Sequence, residues 1–434
     1  MQRRTFIPTA LAASQVRGAN ERVRLALVGC GGRGRYVAGF AKENPNAQYV
    51  ATADVYLPNA EAAAKQLGAT SSVQDFRKLL DRKDIDAIIV GTPDHWHAAV
   101  AILAAKAGKD VYVEKPLAHS IVEGRKIIQA MESTKRLIFG GTQHRSAPHF
   151  AQAADLIQSG YIGPVKYVRI WNYVNWYPDT IAKVPDSPVP AGLDWDMYLG
   201  AAPKVPFNQK RFTATFRNYL EYAGGTITDY GTHRFDTLHQ IMGLKGSDAA
   251  PKTVSASGGR LLLEGAGNAP DLLQATYEYA NFILTYEGIN FNSHGGGFRT
   301  PGWKYYNAQG DRDMPNGMIF YGTKGTMVAE RVGFEIYPEP AGRGDALPRC
   351  QPISVPAKDA TREHAIRFVD CVRGAQPPNA TAESAHMATN IGHLGNIALK
   401  TGKKLLWDSR TEKFDAPEAN ALLYRQPRKE WALI

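Results

Sequence analysis

The sequence predicts an α/β domain wound on both faces of a parallel sheet, followed by an α+β domain rich in consecutive strands. Three observations carry this. Over residues 23–140, short apolar runs alternate with segments of helical spacing, the pattern of parallel strands joined by crossover helices. The first apolar run breaks into a glycine loop, L-A-L-V-G-C-G-G-R-G at 25–34. Over residues 253–338, by contrast, strand-like runs follow one another across short turns.

The glycine loop organises the first half. Gly29, Gly31 and Gly34 satisfy G-x-G-x-x-G. The first permits a tight turn, the second lets the backbone approach a pyrophosphate, and the third lets helix and strand pack closely. A helix-compatible segment follows at 36–42, whose N-terminus would favour phosphate. A second apolar run ends in Asp54, about 20 residues on, where a dinucleotide site wants an acid for the adenosine ribose hydroxyls. That acid would repel a 2′-phosphate, so NAD is expected rather than NADP. The surroundings are those of a Rossmann dinucleotide-binding domain.

Composition sets bounds. At 434 residues two domains are expected, 21–143 and 144–434, behind a separate segment 1–20. Hydrophobic residues make up 44% and charged residues 21%, which suits a chain with a sizeable core. The net charge of +10 is spread along the chain with no basic block, so cations serving phosphates are expected and nucleic-acid binding is not. No apolar run reaches membrane-spanning length, and no membrane partner is expected. Three cysteines without a C-x-x-C pair offer neither a disulfide framework nor a zinc site. At the N-terminus, Arg3 and Arg4 precede a short apolar stretch, which resembles a Tat export signal; the alternative is a disordered tail.

In chain order, strands are expected at 24–29, 48–53, 87–90, 110–113 and 137–139, with helices at 59–67, 97–107 and 122–132 between them. Residues just after each strand matter, because ligands of such sheets lie beyond the strands' carboxyl ends. Two ends stand out: Thr92-Pro93-Asp94-His95-Trp96-His97 and Glu114-Lys115-Pro116. Lys115 either donates to a substrate hydroxyl or is a solvated lysine at a strand end. A helix at 147–159 and a strand at 165–174 follow. The strand carries Tyr173, with Trp176 just beyond, and these aromatics serve either as core or as platforms for sugar rings. The proline-rich stretch 178–206 reads as an ordered insertion covering the site.

At 224–236 a helix begins whose first turns hold Asp229 and His233, four apart and on one face. Such a pair is half a metal site, a structural hydrogen bond or a catalytic dyad, and no further ligands with metal spacing appear. Strands are expected at 253–256, 272–279, 282–289, 318–321, 326–330 and 334–337. His294, in a glycine run at 293–315, reads as a solvated loop residue. Helices at 360–373 and 382–400 are expected to pack back on the first domain, with Trp407 and Trp431 anchoring a polar tail.

The glycine loop, T-P-D-H-W-H, E-K-P and Asp229-Tyr230-Gly231-Thr232-His233, in that order, resemble the Gfo/Idh/MocA family of oxidoreductases. The resemblance spans about residues 23–431. It implies a C-terminal open sheet of mostly antiparallel strands with a face that suits a homo-oligomer. It also implies hydride transfer between a carbinol carbon of a sugar or cyclitol and tightly held NAD. On this resemblance Lys115, Asp229 and His233 are catalytic: His233 accepts the hydroxyl proton, Asp229 sets its tautomer, and Lys115 polarises the oxygen. The cofactor would be held by Gly29, Cys30, Gly31, Gly32, Arg33, Gly34, Asp54, Thr92, Pro93, His97, Glu114 and Lys115. Substrate would meet Lys115, Tyr173, Trp176, Asp229 and His233, with no metal. Export would part the enzyme from the cytoplasmic NAD pool, leading to periplasmic redox-neutral chemistry. One such cycle oxidises C3 of a glycoside transiently, eliminates the substituent and reduces again. A non-catalytic sugar-binding protein is a third class, disfavoured because Lys115 and His233 are both present.

Overall fold

The computed structural model describes residues 22–178, 181–294, 315–340 and 348–434. The twin-arginine segment and most of the loop after His294 lie outside the described residues.

The first domain contains strands β1 (Val23–Val28), β2 (Ala47–Ala53), β3 (Ser71–Val73), β4 (Ala87–Val90), β5 (Asp110–Glu114) and β6 (Ile138–Gly141). Its helices are α1 (Gly32–Ala41), α2 (Leu57–Leu67), α3 (Arg77–Leu80), α4 (Asp94–Lys106) and α5 (Ile121–Thr134). The strands form one sheet in the order β3-β2-β1-β4-β5-β6, and the pairings are parallel. Strands β1, β4 and β5 read as near-continuous apolar runs because helices cover both faces. The order reverses between β1 and β4, so the loops after these strands diverge and open the crevice where such sheets bind ligands.

Three details differ from expectation. Helix α1 starts at Gly32, four residues earlier, because the glycine loop itself forms the first turn. Helix α4 starts at Asp94, placing His97 in its first turn. Strand β3 was not anticipated: two serines and a valine carry no apolar signal.

The second domain contains β7 (Val165–Tyr173), β8 (Thr253–Gly259), β9 (Leu272–Glu278), β10 (Ile283–Ile289), β11 (Asn316–Gly322), β12 (Gly325–Glu330), β13 (Gly333–Pro338), β14 (Ile353–Pro356), β15 (Leu405–Asp408) and β16 (Lys413–Phe414). Its helices are α6 (Pro148–Gln158), α7 (Trp195–Leu199), α8 (Thr226–Met242), α9 (Thr361–Val372), α10 (Ala382–Thr401) and α11 (Pro417–Asn420). The strands form an open ten-stranded sheet, antiparallel except where β7 meets β10. Alternation along β7 sends Val168 and Ile170 into the core beneath α8, where Phe235 and Leu238 meet them. The tail is more regular than its polarity suggests, since β15 pairs with β8. Trp407 is buried beside it.

The two domains share cores. Ala365, Phe368 and Val369 of α9 pack with Val37, Tyr112 and Phe139. Ala382 and Ala385 of α10 join Val113 and Ile127. The helices thus return to the first domain as expected, which fixes the end of β5 against the start of α8. No helix among the described residues is long and apolar enough to cross a membrane.

Candidate active site

A cavity of about 410 Å³ lies at the switch point. The glycine loop forms one end. Gly29 takes a left-handed φ of +85°, and a Cβ there would sit 2.4 Å from the Thr92 amide nitrogen. At Gly34 a Cβ would fall 2.0 Å from the Gly29 carbonyl oxygen, so α1 is held against β1 as the third glycine requires. Gly31 and Gly32 face open space: a Cβ on either would meet nothing within 4 Å, and both line the cavity.

Asp54 closes the end of β2 and lines the same cavity. Its carboxylate accepts from the Cys30 amide at 2.7 Å and the Tyr56 amide at 2.8 Å, which ties the loop to the strand end. Burial pushes the carboxyl up to about 6, against those two bonds. Cys30 turns its thiol into the core towards the Ala53 carbonyl, and burial pushes that thiol well up. Cys30 is not among the residues lining the cavity, and its amide is engaged by Asp54.

Arg33 donates from Nε to Glu114 at 2.9 Å, and Glu114 also accepts from the Tyr112 hydroxyl at 3.1 Å. Arg33 Nη2 and the Thr92 hydroxyl are buried without a partner, two polar groups prepared for a ligand. His97 lines the cavity too. Its ring nitrogens lie 2.6 Å from the Pro116 carbonyl and 3.0 Å from the Thr92 carbonyl, so it braces the two strand-end loops, and both its polar atoms are engaged.

Lys115 and Asp229 meet across the domain boundary. The Lys115 ammonium donates to the Asp229 carboxylate and, at 2.9 Å, to the Asp229 carbonyl. Arg217 reaches the same carboxylate at 3.2 Å. Burial opposes the charge on Asp229, but Lys115 and Arg217 outweigh it and hold the carboxyl well below its usual range. His233 follows one turn later on α8, yet no hydrogen bond joins it to Asp229. Its Nδ1 is buried without a partner, and its ring stacks on His144 at 5.2 Å. Burial, then the charge on Lys115, pushes its pKa well down, so the imidazole is neutral at physiological pH. The expected tautomer-setting bond is therefore replaced by a carboxylate that serves the lysine.

Of the residues expected to meet substrate, Lys115 lines the cavity, while Tyr173, Trp176, Asp229 and His233 do not. Strand period explains this for Tyr173: Asn172 shares the parity of Ile170, while Tyr173 points to the opposite face, where its hydroxyl joins Glu287 and Arg169. Trp176 lies past the strand end, half-buried, its amide donating to Asn290 at 2.9 Å. The aromatic side chains lining the cavity are Phe76, Trp96, Tyr198, Phe212 and Phe216 instead. His294 is exposed, as a loop histidine.

Asp94, within T-P-D-H-W-H, stands at the start of α4. It is 4% exposed, lines the cavity, and its Oδ2 has no partner. Burial pushes its carboxyl up to about 7, with Arg217 and Lys115 opposing and Asp229 reinforcing. The folded protein thus holds this proton more tightly than the unfolded chain, so the stability Asp94 contributes falls as pH rises towards 7. Asp94→Asn is expected to stabilise the fold, relative to wild type, by about 2–4 kcal/mol more at about pH 8 than at about pH 5, read from thermal melts.

Among the described residues no cluster of His, Cys, Asp and Glu is arranged to hold a metal. A glycine loop open to a pyrophosphate, an acid at the second strand end and an interdomain lysine define a dinucleotide-dependent oxidoreductase. Comparison with known proteins gives the family. Residues 23–142 match the model of the oxidoreductase family with an NAD-binding Rossmann fold, and residues 153–294 match that of its C-terminal alpha/beta domain. The chain belongs to the Gfo/Idh/MocA oxidoreductases. Its relatives include scyllo-inositol 2-dehydrogenase (NAD(+)) of Bacillus subtilis, 24% identical over 89% of this chain and 96% of the relative. Myo-inositol 2-dehydrogenase of Thermotoga maritima is 23% identical over 91% and 99%. The crystal structure of a levoglucosan dehydrogenase complexed with NADH superposes with a TM-score of 0.63 at 19% identity, covering 88% of this chain and 98% of that one.

Proposed function

We propose that this enzyme oxidises a ring hydroxyl of a cyclitol or sugar, with Lys115, Asp229 and His233 as its catalytic residues. Bound NAD supplies the hydride acceptor. The observation that carries the reading is Lys115, which lines the cavity and is paired with Asp229, with a neutral His233 one turn further along the same helix. Lys115 holds the substrate oxygen and stabilises the negative charge that develops there as the carbon–hydrogen bond breaks. Asp229 keeps that ammonium aimed. The unpartnered Nδ1 of His233 marks an imidazole free to take the hydroxyl proton. Gly31, Gly32, Arg33, Asp54 and Thr92 hold the cofactor. Inositol and levoglucosan dehydrogenases among the relatives support the substrate class.

His233→Ala is expected to lower turnover by about 10²–10⁴-fold while NADH titration still saturates. The acid limb of the wild-type rate should fall below the ordinary histidine pKa of about 6.5, because this imidazole charges only at lower pH. A limb at or above that value, or an alanine variant with undiminished turnover, contradicts the assignment. A second reading is the redox-neutral cleavage of a glycoside, which needs the same Lys115 and bound NAD. Repeated turnover of a glycoside without net NADH would select it.

A further inference from the structure

The first domain builds only part of the cavity wall. Met197, Tyr198, Phe212, Phe216 and Arg217 build the rest, from the insertion before α8. Helix α7, at five residues, is too short to persist alone, and its position depends on ties at three places.

The first tie runs to the strand-end loop that carries Asp54. The Leu57 amide donates to the Gly192 carbonyl at 2.9 Å, and the Asp194 amide to the Val55 carbonyl at 2.9 Å. Gln74 adds a bond to the Gly192 carbonyl at 3.0 Å. The second tie runs to α4, where Trp96 Nε1 donates to the Tyr198 carbonyl at 3.0 Å. The third comes from the C-terminal tail. Arg428 donates to the Asp196 carboxylate at 2.6 Å, to its carbonyl at 3.0 Å and to the Gly200 carbonyl at 2.9 Å. Trp431 Nε1 donates to the same carboxylate at 2.9 Å, and its ring meets Trp96 edge-on at 5.5 Å.

We propose that α7 and the tail residues Arg428 and Trp431 form a clasp that keeps NAD resident in the enzyme between turnovers. The wall they hold lines the same cavity as Asp54, Thr92 and Lys115, so departure of a dinucleotide requires that wall to lift. Lifting it breaks a multidentate guanidinium–carboxylate contact, an indole bond and an aromatic contact together. With NAD resident, each hydride taken from a carbinol must be returned to a carbonyl compound in the same cavity before the next cycle.

The test is NADH release. Protein loaded with NADH is diluted into excess NAD, and the loss of bound-NADH fluorescence is followed. Wild type is expected to release over minutes or longer. Arg428→Ala is expected to release at least about tenfold faster, since affinity differences fall mainly on dissociation. Asp196→Asn loosens the same contact with a smaller structural change, and carries the test if Arg428→Ala melts abnormally. Wild-type release within seconds, or equal rates in wild type and both variants, overturns the clasp. No fluorescence change on adding NADH overturns the cofactor site itself, and the clasp with it.

Discussion

Lys115→Met is expected to lower the rate of hydride transfer to bound NAD about 10³-fold. The substitution keeps the aliphatic stem and removes the ammonium, so the effect is electrostatic and not a matter of filling space. Lys115 donates to both the carboxylate and the carbonyl of Asp229, which places its charge at the boundary where the two domains meet. Without it, Asp229 is a buried carboxylate with Arg217 as its remaining cation. Single-turnover reduction of bound NAD by a cyclitol or sugar should show the loss in the limiting rate, with a smaller change in the concentration that half-saturates it. A loss confined to the half-saturating concentration would make Lys115 a binding group alone.

Gly34→Ala is expected to destabilise the first domain by about 3 kcal/mol or more and to weaken NADH binding by at least about 100-fold. The added Cβ would lie 2.0 Å from the Gly29 carbonyl oxygen, a backbone atom that moves only if the loop between β1 and α1 moves. Gly31→Ala makes the contrast. Its Cβ would meet nothing within 4 Å, so the fold should melt as wild type does, while NADH binding weakens because the cavity side of the loop is obstructed. Thermal melts and fluorescence titrations on the two variants separate the packing glycine from the phosphate-facing one.

What the sequence made legible follows burial. Strand β4 was read to the residue, because Ala87, Ile88, Ile89 and Val90 are enclosed on both faces and leave an unbroken apolar run. Lys115, Asp229 and His233 stand in short motifs; the structure bonds Lys115 to Asp229, and of the three Lys115 alone is among the residues lining the cavity. Their mutual arrangement was not legible: the i, i+4 spacing puts Asp229 and His233 on one face, but not whether the carboxylate turns to the histidine or to the lysine. Tyr173 was misplaced by parity, since a dense aromatic run does not say which residues of a strand face the site. Arg217 stands alone in a segment without periodicity, and only the tertiary fold brings it to Asp229. The clasp was equally hidden, for Asp196 and Arg428 are 232 residues apart.

The measurement that bears most directly on the central claim is reduction of NAD in the cavity by a polyol. Purified enzyme, with NAD supplied, is offered a panel of cyclitols and sugars, and the near-ultraviolet absorbance of the reduced nicotinamide is followed. A rise with at least one polyol in wild type, abolished in Lys115→Met although that variant still binds NADH, is the expected result. No reduction with any polyol and no conversion of any glycoside, or an equal rise in Lys115→Met, would contradict it.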